Sequence, residues 1–395
     1  MSDAVSFIWT DDYLMYDFGP QHPLKPIRVK LTVELARAVG LFDLPNVTVL
    51  PPRDATRAQL ERVHAPEYLD AVEHISHNFQ GPYHDYGWGV GIGDNPAFPG
   101  MHEASALVCG GGIVAAEQVW HGGAQHSWYP AGGLHHAMRD RASGFCIYDD
   151  PAVSIAWLLD NGASKVAYVD VDVHHGDGVQ AAFYDDPRVL TISLHESGYF
   201  LFPGTGFVDE VGVGEAEGTS VNVPLPPYTH DDAWRAAFER VVPPLIEAFA
   251  PDVLFTQLGC DTHATDPLAH LALTTRTYRW TASMLHEIAH RFAGGRWIAT
   301  GGGGYQIFSV VPRAWTMYAA ELAGATETLP EQLPEAWMQH ATREGATDLY
   351  PAFMDPKVAI PQARMLEASE GAEKAADDVV ARIFPYYGIR GRRSG

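Results

Sequence analysis

Cysteine is scarce: the 395 residues hold three, at 109, 146 and 260, with no C-x-x-C spacing. So odd and scattered a set argues against a disulfide framework or a thiolate zinc site and fits a reducing compartment. Positive charge is also short. Lys and Arg number 26 against 49 Asp and Glu, a net charge of −23, and a surface that acidic repels phosphate backbones and anionic lipids. Nucleic acid and membrane are therefore not expected as partners. The basic cluster Arg390, Arg392 and Arg393 reads as a solvated terminus. No apolar run approaches the ~20 residues a spanning helix needs, and Met-Ser-Asp-Ala-Val-Ser-Phe at the start has no basic stretch leading into an apolar one. A soluble, unexported, cytoplasmic protein is expected. Internal repeats and low-complexity linkers are missing too.

What is present is material for a large core: 46% hydrophobic residues, with 19% charged. From about residue 150, short β-rich runs alternate with helical patterns. KVAYVDVD (165–172), RVLTISLH (188–195), DVLFTQLG (252–259) and RWIATGGGG (296–304) read as buried strands. Residues 274–293 and 231–249 repeat apolar side chains at helical spacing, and Pro243-Pro244 should kink or restart the second helix. Further upstream, helices are expected at 56–75 and 103–121 and one strand at VTVLP (47–51). This alternation implies an α/β fold with a mostly parallel sheet covered by helices on both faces.

Four segments carry chemistry. In VDVDVHHGDG (169–178), strand alternation places Asp170, Asp172 and His174 on one face and three valines on the other. Carboxylates on a core strand need a cation or a dense hydrogen-bond network, and Asp177 follows directly. A second strand end, QLGCD, delivers Asp261, which alone is compatible with a plain turn or helix cap. Ligands in open α/β sheets bind outside the carboxyl ends of strands. Two Asp and one His there give three N/O donors with an open fourth position, the layout of a catalytic zinc. In PAGGLHHA (130–137), adjacent His135 and His136 sit in a glycine turn, suited to a general base and acid, with surface histidines as the plain alternative. TGGGGYQ (300–306) lacks the Lys-Ser/Thr of a phosphate loop, so Tyr305 reads either as an oxyanion donor or as a packing residue.

Together with QHPLKPIR (21–28), SGFCIYDD (143–150) and HESGYFLFPGTG (195–206), these segments resemble the arginase-fold, zinc-dependent deacetylases. That family includes histone deacetylases and bacterial acetoin-utilisation deacetylases, the latter being the nearer likeness. The resemblance runs in order over about 290 residues. It implies that Asp172, His174 and Asp261 hold the zinc, with Fe2+ as an alternative ion. His135 and His136 would be the tandem catalytic histidines, oriented by Asp170 and Asp177, and Tyr305 would polarise the substrate carbonyl. Gly144, Phe145 and Phe202 would wall a channel for the lysine methylenes, Asp94 would grip the substrate backbone at its rim, and Arg28 would line an inner cavity. A structural K+ or Na+ site would use Asp170, Asp172, His174, Ser193 and Leu194.

Two positions qualify the likeness. Leu268 stands where polyamine-selective relatives can place an acidic gatekeeper, which favours an acetylated protein or peptide over an acetylpolyamine, and Phe200 competes with Phe202 for the channel wall. The acetoin association implies acetyl-CoA synthetase as a possible target. A dinuclear Mn ureohydrolase and a non-catalytic acyl-lysine binder are the rivals. The former is disfavoured by Asp261-Thr262-His263 in place of an Asp-x-Asp pair, the latter by intact Tyr305, His135 and His136. Length alone suggests two or three domains, but site residues spread from Asp94 to Tyr305 require one. The expected organisation is a single arginase/deacetylase-like domain over 1–325, with 326–395 a C-terminal extension packed on it. The sequence leaves the oligomeric state open.

Overall fold

The computed structural model describes residues 3–356 and 358–389, so the arginines at 390, 392 and 393 lie outside the described residues. Eight short apolar runs form one sheet: β1 (Val5–Ile8), β2 (Val47–Leu50), β3 (His126–Tyr129), β4 (Val166–Asp170), β5 (Val189–Glu196), β6 (Ser220–Leu225), β7 (Val253–Gln257) and β8 (Trp297–Thr300). Their order is β2-β1-β3-β8-β7-β4-β5-β6, and every neighbouring pair is parallel. Strands β3, β4, β5, β7 and β8 are buried at every residue, as a sheet covered on both faces requires. The covering helices are α1 (Ile27–Ala38), α2 (Arg57–Leu60), α3 (Pro66–His77), α4 (Met101–Trp120), α5 (Asp150–Asp160), α6 (Asp177–Ala182), α7 (Asp231–Phe249), α8 (Thr275–Phe292), α9 (Val311–Leu322), α10 (Glu335–Arg343) and α11 (Gln362–Ile383). The fold is the single parallel α/β domain that the alternation implies.

Three local expectations need correction. The alternating strand through Asp172 and His174 ends at Asp170. Beyond it, side chains bond backbone two residues on: the Asp172 N–H donates to Asp170 Oδ1 at 3.1 Å and the His174 N–H to Asp172 Oδ1 at 3.0 Å. These turns take the N–H groups of Asp172 and His174, while the Val171 N–H still donates to the Gln257 carbonyl at 3.1 Å and the Val173 carbonyl accepts from the Glu196 N–H at 2.8 Å. The helix expected at 56–75 is two, because Ala65 precedes Pro66 and is extended (φ −67°, ψ 139°), as a residue before proline prefers. Conversely α7 does not restart at Pro243-Pro244. The carbonyls those prolines free belong to Glu239 and Arg240, which are not fully buried, so water can serve them while Val241, Val242, Leu245 and Ile246 bury the other face.

Past residue 325 the chain returns to the domain. Trp337 and Ala341 of α10 join Leu31, Leu35, Met317 and Phe353 in a second apolar cluster, and α11 packs on α7 and β6.

Candidate active site

Loops leaving the carboxyl ends of β3, β8, β7 and β4, four neighbours in the sheet, meet above its edge. They bring residues 130–137, 301–305, 258–266 and 171–176 together around a small cavity lined by His135, His136, Asp172, His174, Gly303 and Tyr305 among others.

At its floor, His174 Nδ1 lies 3.1 Å from both Asp172 Oδ1 and Asp261 Oδ2. Each carboxylate is fixed through its other oxygen. Asp172 Oδ2 accepts from Gln257 Nε2 and from the Gly303 N–H, both at 2.7 Å, and Asp261 Oδ1 accepts from the Val173 N–H at 2.9 Å. All three side chains are buried, and their ligand atoms lie within 4.8 Å of one another. Such a set is electron-rich. Burial alone would lower the His174 imidazolium, yet its bonds to Asp172 and Asp261 hold it up to about 10, while burial and then the Asp172 charge push Asp261 up to about 7. Burial would raise Asp172 as well, but the His135 charge and the bond from His174 outweigh it and hold it well below the ordinary carboxylate range, so protons on His174 and in part on Asp261 stand where a cation would, and three N/O donors with an open side suit Zn2+ or Fe2+.

The tandem histidines stand beside this set, their rings 4.0 Å apart. His135 Nδ1–H donates to Asp170 Oδ2 at 2.7 Å, and His136 Nδ1–H to Asp177 Oδ1 at 2.6 Å. Burial lowers both, but Asp170 and Asp172 outweigh it at His135, which rises to about 9. At His136 burial and the His135 charge prevail and push it down to about 4. Tyr305 is half-buried, its N–H held by Asp266 Oδ2 at 2.8 Å, and burial followed by the Asp261 and Asp172 charges raises its hydroxyl well above 10. That hydroxyl remains a donor.

Gly144, Phe145 and Phe202 stand over the cavity. A Cβ on Gly144 would lie 2.5 Å from His136 Cδ2 and 2.8 Å from Phe202 Cε1, so its glycine lets the wall close on the histidine. The Phe202 ring stands 5.0 Å from His136, and Phe145 stands edge-on to Tyr305 at 5.8 Å. Phe200, the competitor, lies instead in a groove with Pro226, Tyr228 and His270. Asp94 is exposed and joins the wall through its carbonyl, which accepts from His22, a ring packed 4.4 Å from Phe145. Leu268 is half-buried, its N–H donating to Asp266 Oδ1 at 3.0 Å. Arg28 is buried, with Nη1 donating to the Gly302 and Gly304 carbonyls at 2.8 and 3.1 Å. Ser193 pairs in register with Asp170, and its hydroxyl is 2.8 Å from His195 Nδ1. His195 Nε2–H donates to the Gly206 carbonyl, so Ser193 donates to Nδ1 and its oxygen lone pairs are not used by that bond. Its neighbour Leu194 is fully buried on the same strand.

Sequence reasoning assigned no role to Gln257, Asp266 or Asp150. Asp150 accepts the Gly133 and Leu134 N–H groups at 2.8–3.1 Å and so shapes the turn before His135. The signal for Gln257 was a polar side chain closing an otherwise apolar strand. His263 turns away from the cavity: Nε2 meets Asp355 Oδ2 at 2.9 Å, so it does not extend the ligand set as a second metal would need.

The histone deacetylase domain family matches residues 22–322. The acetoin utilization protein AcuC of Bacillus subtilis (strain 168) is 40% identical over 356 residues, 90% of this chain and 91% of that protein. Its namesake in Staphylococcus xylosus is 36% identical over 345 residues, 87% of this chain and 89% of that protein.

Proposed function

Because this chain belongs to the histone deacetylase family and is a deacetylase-type amidohydrolase, we propose that it uses zinc to remove acetyl groups from lysine side chains of proteins. The observation that carries this reading is the meeting of the Asp172, His174 and Asp261 donors with two His–Asp pairs and a protonated tyrosine in one buried cavity.

Asp172, His174 and Asp261 would hold Zn2+, with Fe2+ as the alternative. When bound, the ion supplies Lewis acidity, polarising the amide carbonyl and lowering the pKa of water toward ~7. His136, kept neutral by burial and by charged His135, takes the water's proton at Nε2 and returns it to the departing amine. Asp177 at its Nδ1 steadies the imidazolium that forms. His135, charged against Asp170 and Asp172, places positive charge beside the developing oxyanion, and Tyr305 donates its O–H to that oxygen. Gly144, Phe145 and Phe202 sheathe the lysine methylenes, and Asp94 binds substrate backbone N–H groups at the rim. Arg28 lines the inner cavity through which acetate leaves. Asp170, Asp172, His174, Ser193 and Leu194 hold a structural K+ or Na+.

Leu268 puts no carboxylate at the position where an acidic gatekeeper would attract a polyamine, which supports a peptide substrate. The relatives' role in acetoin utilization supports an acetylated metabolic enzyme, acetyl-CoA synthetase being the candidate. No helix among the described residues is long and apolar enough to cross a membrane, and we place the protein in the cytoplasm. Residues 1–325 are read as the deacetylase domain and 326–395 as an extension packed on it, a division supported by α10 and α11 against α1 and α7.

The test is hydrolysis of an acetyl-lysine peptide beside acetylspermidine and a longer acyl-lysine peptide, with chelator and with zinc restored. Chelator-sensitive turnover of acetyl-lysine is expected. Failure of the zinc-loaded protein on all three would overturn the substrate assignment, and preference for acetylspermidine would replace protein by polyamine.

A further inference from the structure

The amino-terminal edge of the sheet, opposite the active site, carries a second convergence of metal-ligating side chains. His126 opens β3, Asp3 lies two residues before β1, and His286 and His290 stand four apart near the end of α8, hence on one helix face. One ligand atom from each lies within 4.8 Å of all the others. His290 Nε2 is 3.1 Å from His286 Nε2 and 3.2 Å from Asp3 Oδ2, and His286 Nε2 is 3.8 Å from that same oxygen. The His126 ring stands 4.8 Å from His286 and 5.3 Å from His290.

The hydrogen-bond partners fix where the protons sit. His126 Nδ1 is 2.9 Å from the Leu322 carbonyl, which only accepts, so Nδ1 carries the proton and Nε2 a lone pair. Its residue is fully buried, and Nε2 has no hydrogen-bond partner. His286 Nδ1 is 2.9 Å from Glu321 Oε1, a carboxylate oxygen that accepts the ring N–H. His286 Nε2 is therefore a lone pair too. With the Asp3 carboxylate, three acceptors face one another, and of the four side chains only His290 can donate. One N–H cannot serve three acceptors, whereas one cation can. Carbonyl and carboxylate groups behind the remote ring nitrogens are the usual orienting partners of metal-bound histidines. A tetrahedron of ~2.0–2.1 Å bonds has edges of about 3.4 Å, and the observed separations bracket that length.

We propose that Asp3, His126, His286 and His290 form a second zinc site, structural in kind, that ties the segment before β1 to β3 and to the end of α8. Three imidazoles and one carboxylate suit Zn2+ rather than Mg2+ or Ca2+, and four protein donors complete the coordination without an open position. The site stands independently of the proposed deacetylase chemistry.

The test counts zinc. Full-length protein is stripped with chelator, equilibrated with zinc at low micromolar free concentration, and its metal content measured beside His290→Ala and His286→Ala. Each variant should bind one zinc fewer per chain than the parent, with hydrolysis of the acetyl-lysine peptide unchanged. Equal zinc content in parent and variants overturns the proposal. A fall from one to none supports it and would count against zinc in the active site instead.

Discussion

Tyr305 is the residue at which binding and turnover should separate. A phenylalanine there keeps the ring beside Phe145 and removes only the hydroxyl, and loss of an oxyanion donor typically costs roughly 3–4 kcal/mol of barrier. For Tyr305→Phe we expect kcat to fall at least about a hundredfold with zinc content unchanged. Near-normal turnover of the purified variant would remove Tyr305 from its proposed role. His136→Ala should be slower still. Gly303 tests the proposed ligands, because a Cβ there would lie 1.9 Å from Asp261 Oδ2 and 2.8 Å from Asp172 Oδ2. Gly303→Ala is expected to weaken zinc binding by about tenfold or more in a competition titration with a chromogenic chelator, and unaltered affinity would show that the carboxylates yield without loss. The sequence exposed Asp172, His174, Asp261 and the His135-His136 pair because charge at buried strand ends and paired imidazoles in a glycine turn are anomalous there. Gln257, Asp266 and Asp150 are unremarkable as letters. Their importance lies in which N–H or carboxylate they meet across the fold, and no local pattern carries that.

Among the elements, the long periodic helix α8 and the apolar strands β4, β5, β7 and β8 were legible, whereas β1, β3 and β6 were not. VSFI and HSWY mix Ser and His with apolar residues over four positions, and Asn222 and Pro224 interrupt SVNVPL, so none stands out as an apolar run, and they become strands because neighbouring strands pair with them. One loop element makes a pH prediction. His64, between α2 and α3, donates from Nδ1 to the Met138 carbonyl at 3.0 Å and accepts the Asp149 N–H on Nε2 at 3.0 Å, stapling both ends of the segment that follows His136. Only the neutral ring can make both bonds. Burial pushes His64 down to about 4, so the unfolded chain binds a proton below pH 6.5 that the folded chain refuses. Stability should therefore decline as pH falls from 6.5 toward 4, by up to about 3 kcal/mol from this group. Urea titrations across that range should show a shallower pH dependence in His64→Gln, and parallel curves would assign the loss to other groups.

At the scale of the whole molecule, Asp355 closes the chain's last quarter onto its centre. Its Oδ1 accepts from Arg313 at 2.8 Å, and its Oδ2 from the Thr275 N–H and His263 at 3.0 and 2.9 Å. Burial would raise this carboxyl, but the His263 bond and the Arg313 charge outweigh it and hold it well below the ordinary range. Its contribution is thus present above about pH 4 and fades in stronger acid. Asp355→Ala leaves Arg313 buried without its carboxylate, so a loss of about 3 kcal/mol is expected in urea unfolding at neutral pH. An unchanged midpoint would mean that α10 and α11 need no such clamp. The order of the sheet adds a constraint in time. β8 is the last strand in the chain yet lies between β3 and β7. Until the ribosome has released it, the growing protein can hold only two separate half-sheets: one carries the loop of His135 and His136, the other the loops of Asp172, His174 and Asp261. A chain that stalls before Trp297 is therefore a protein with all its proposed metal donors made and no continuous sheet to join them to its proposed acid–base pair.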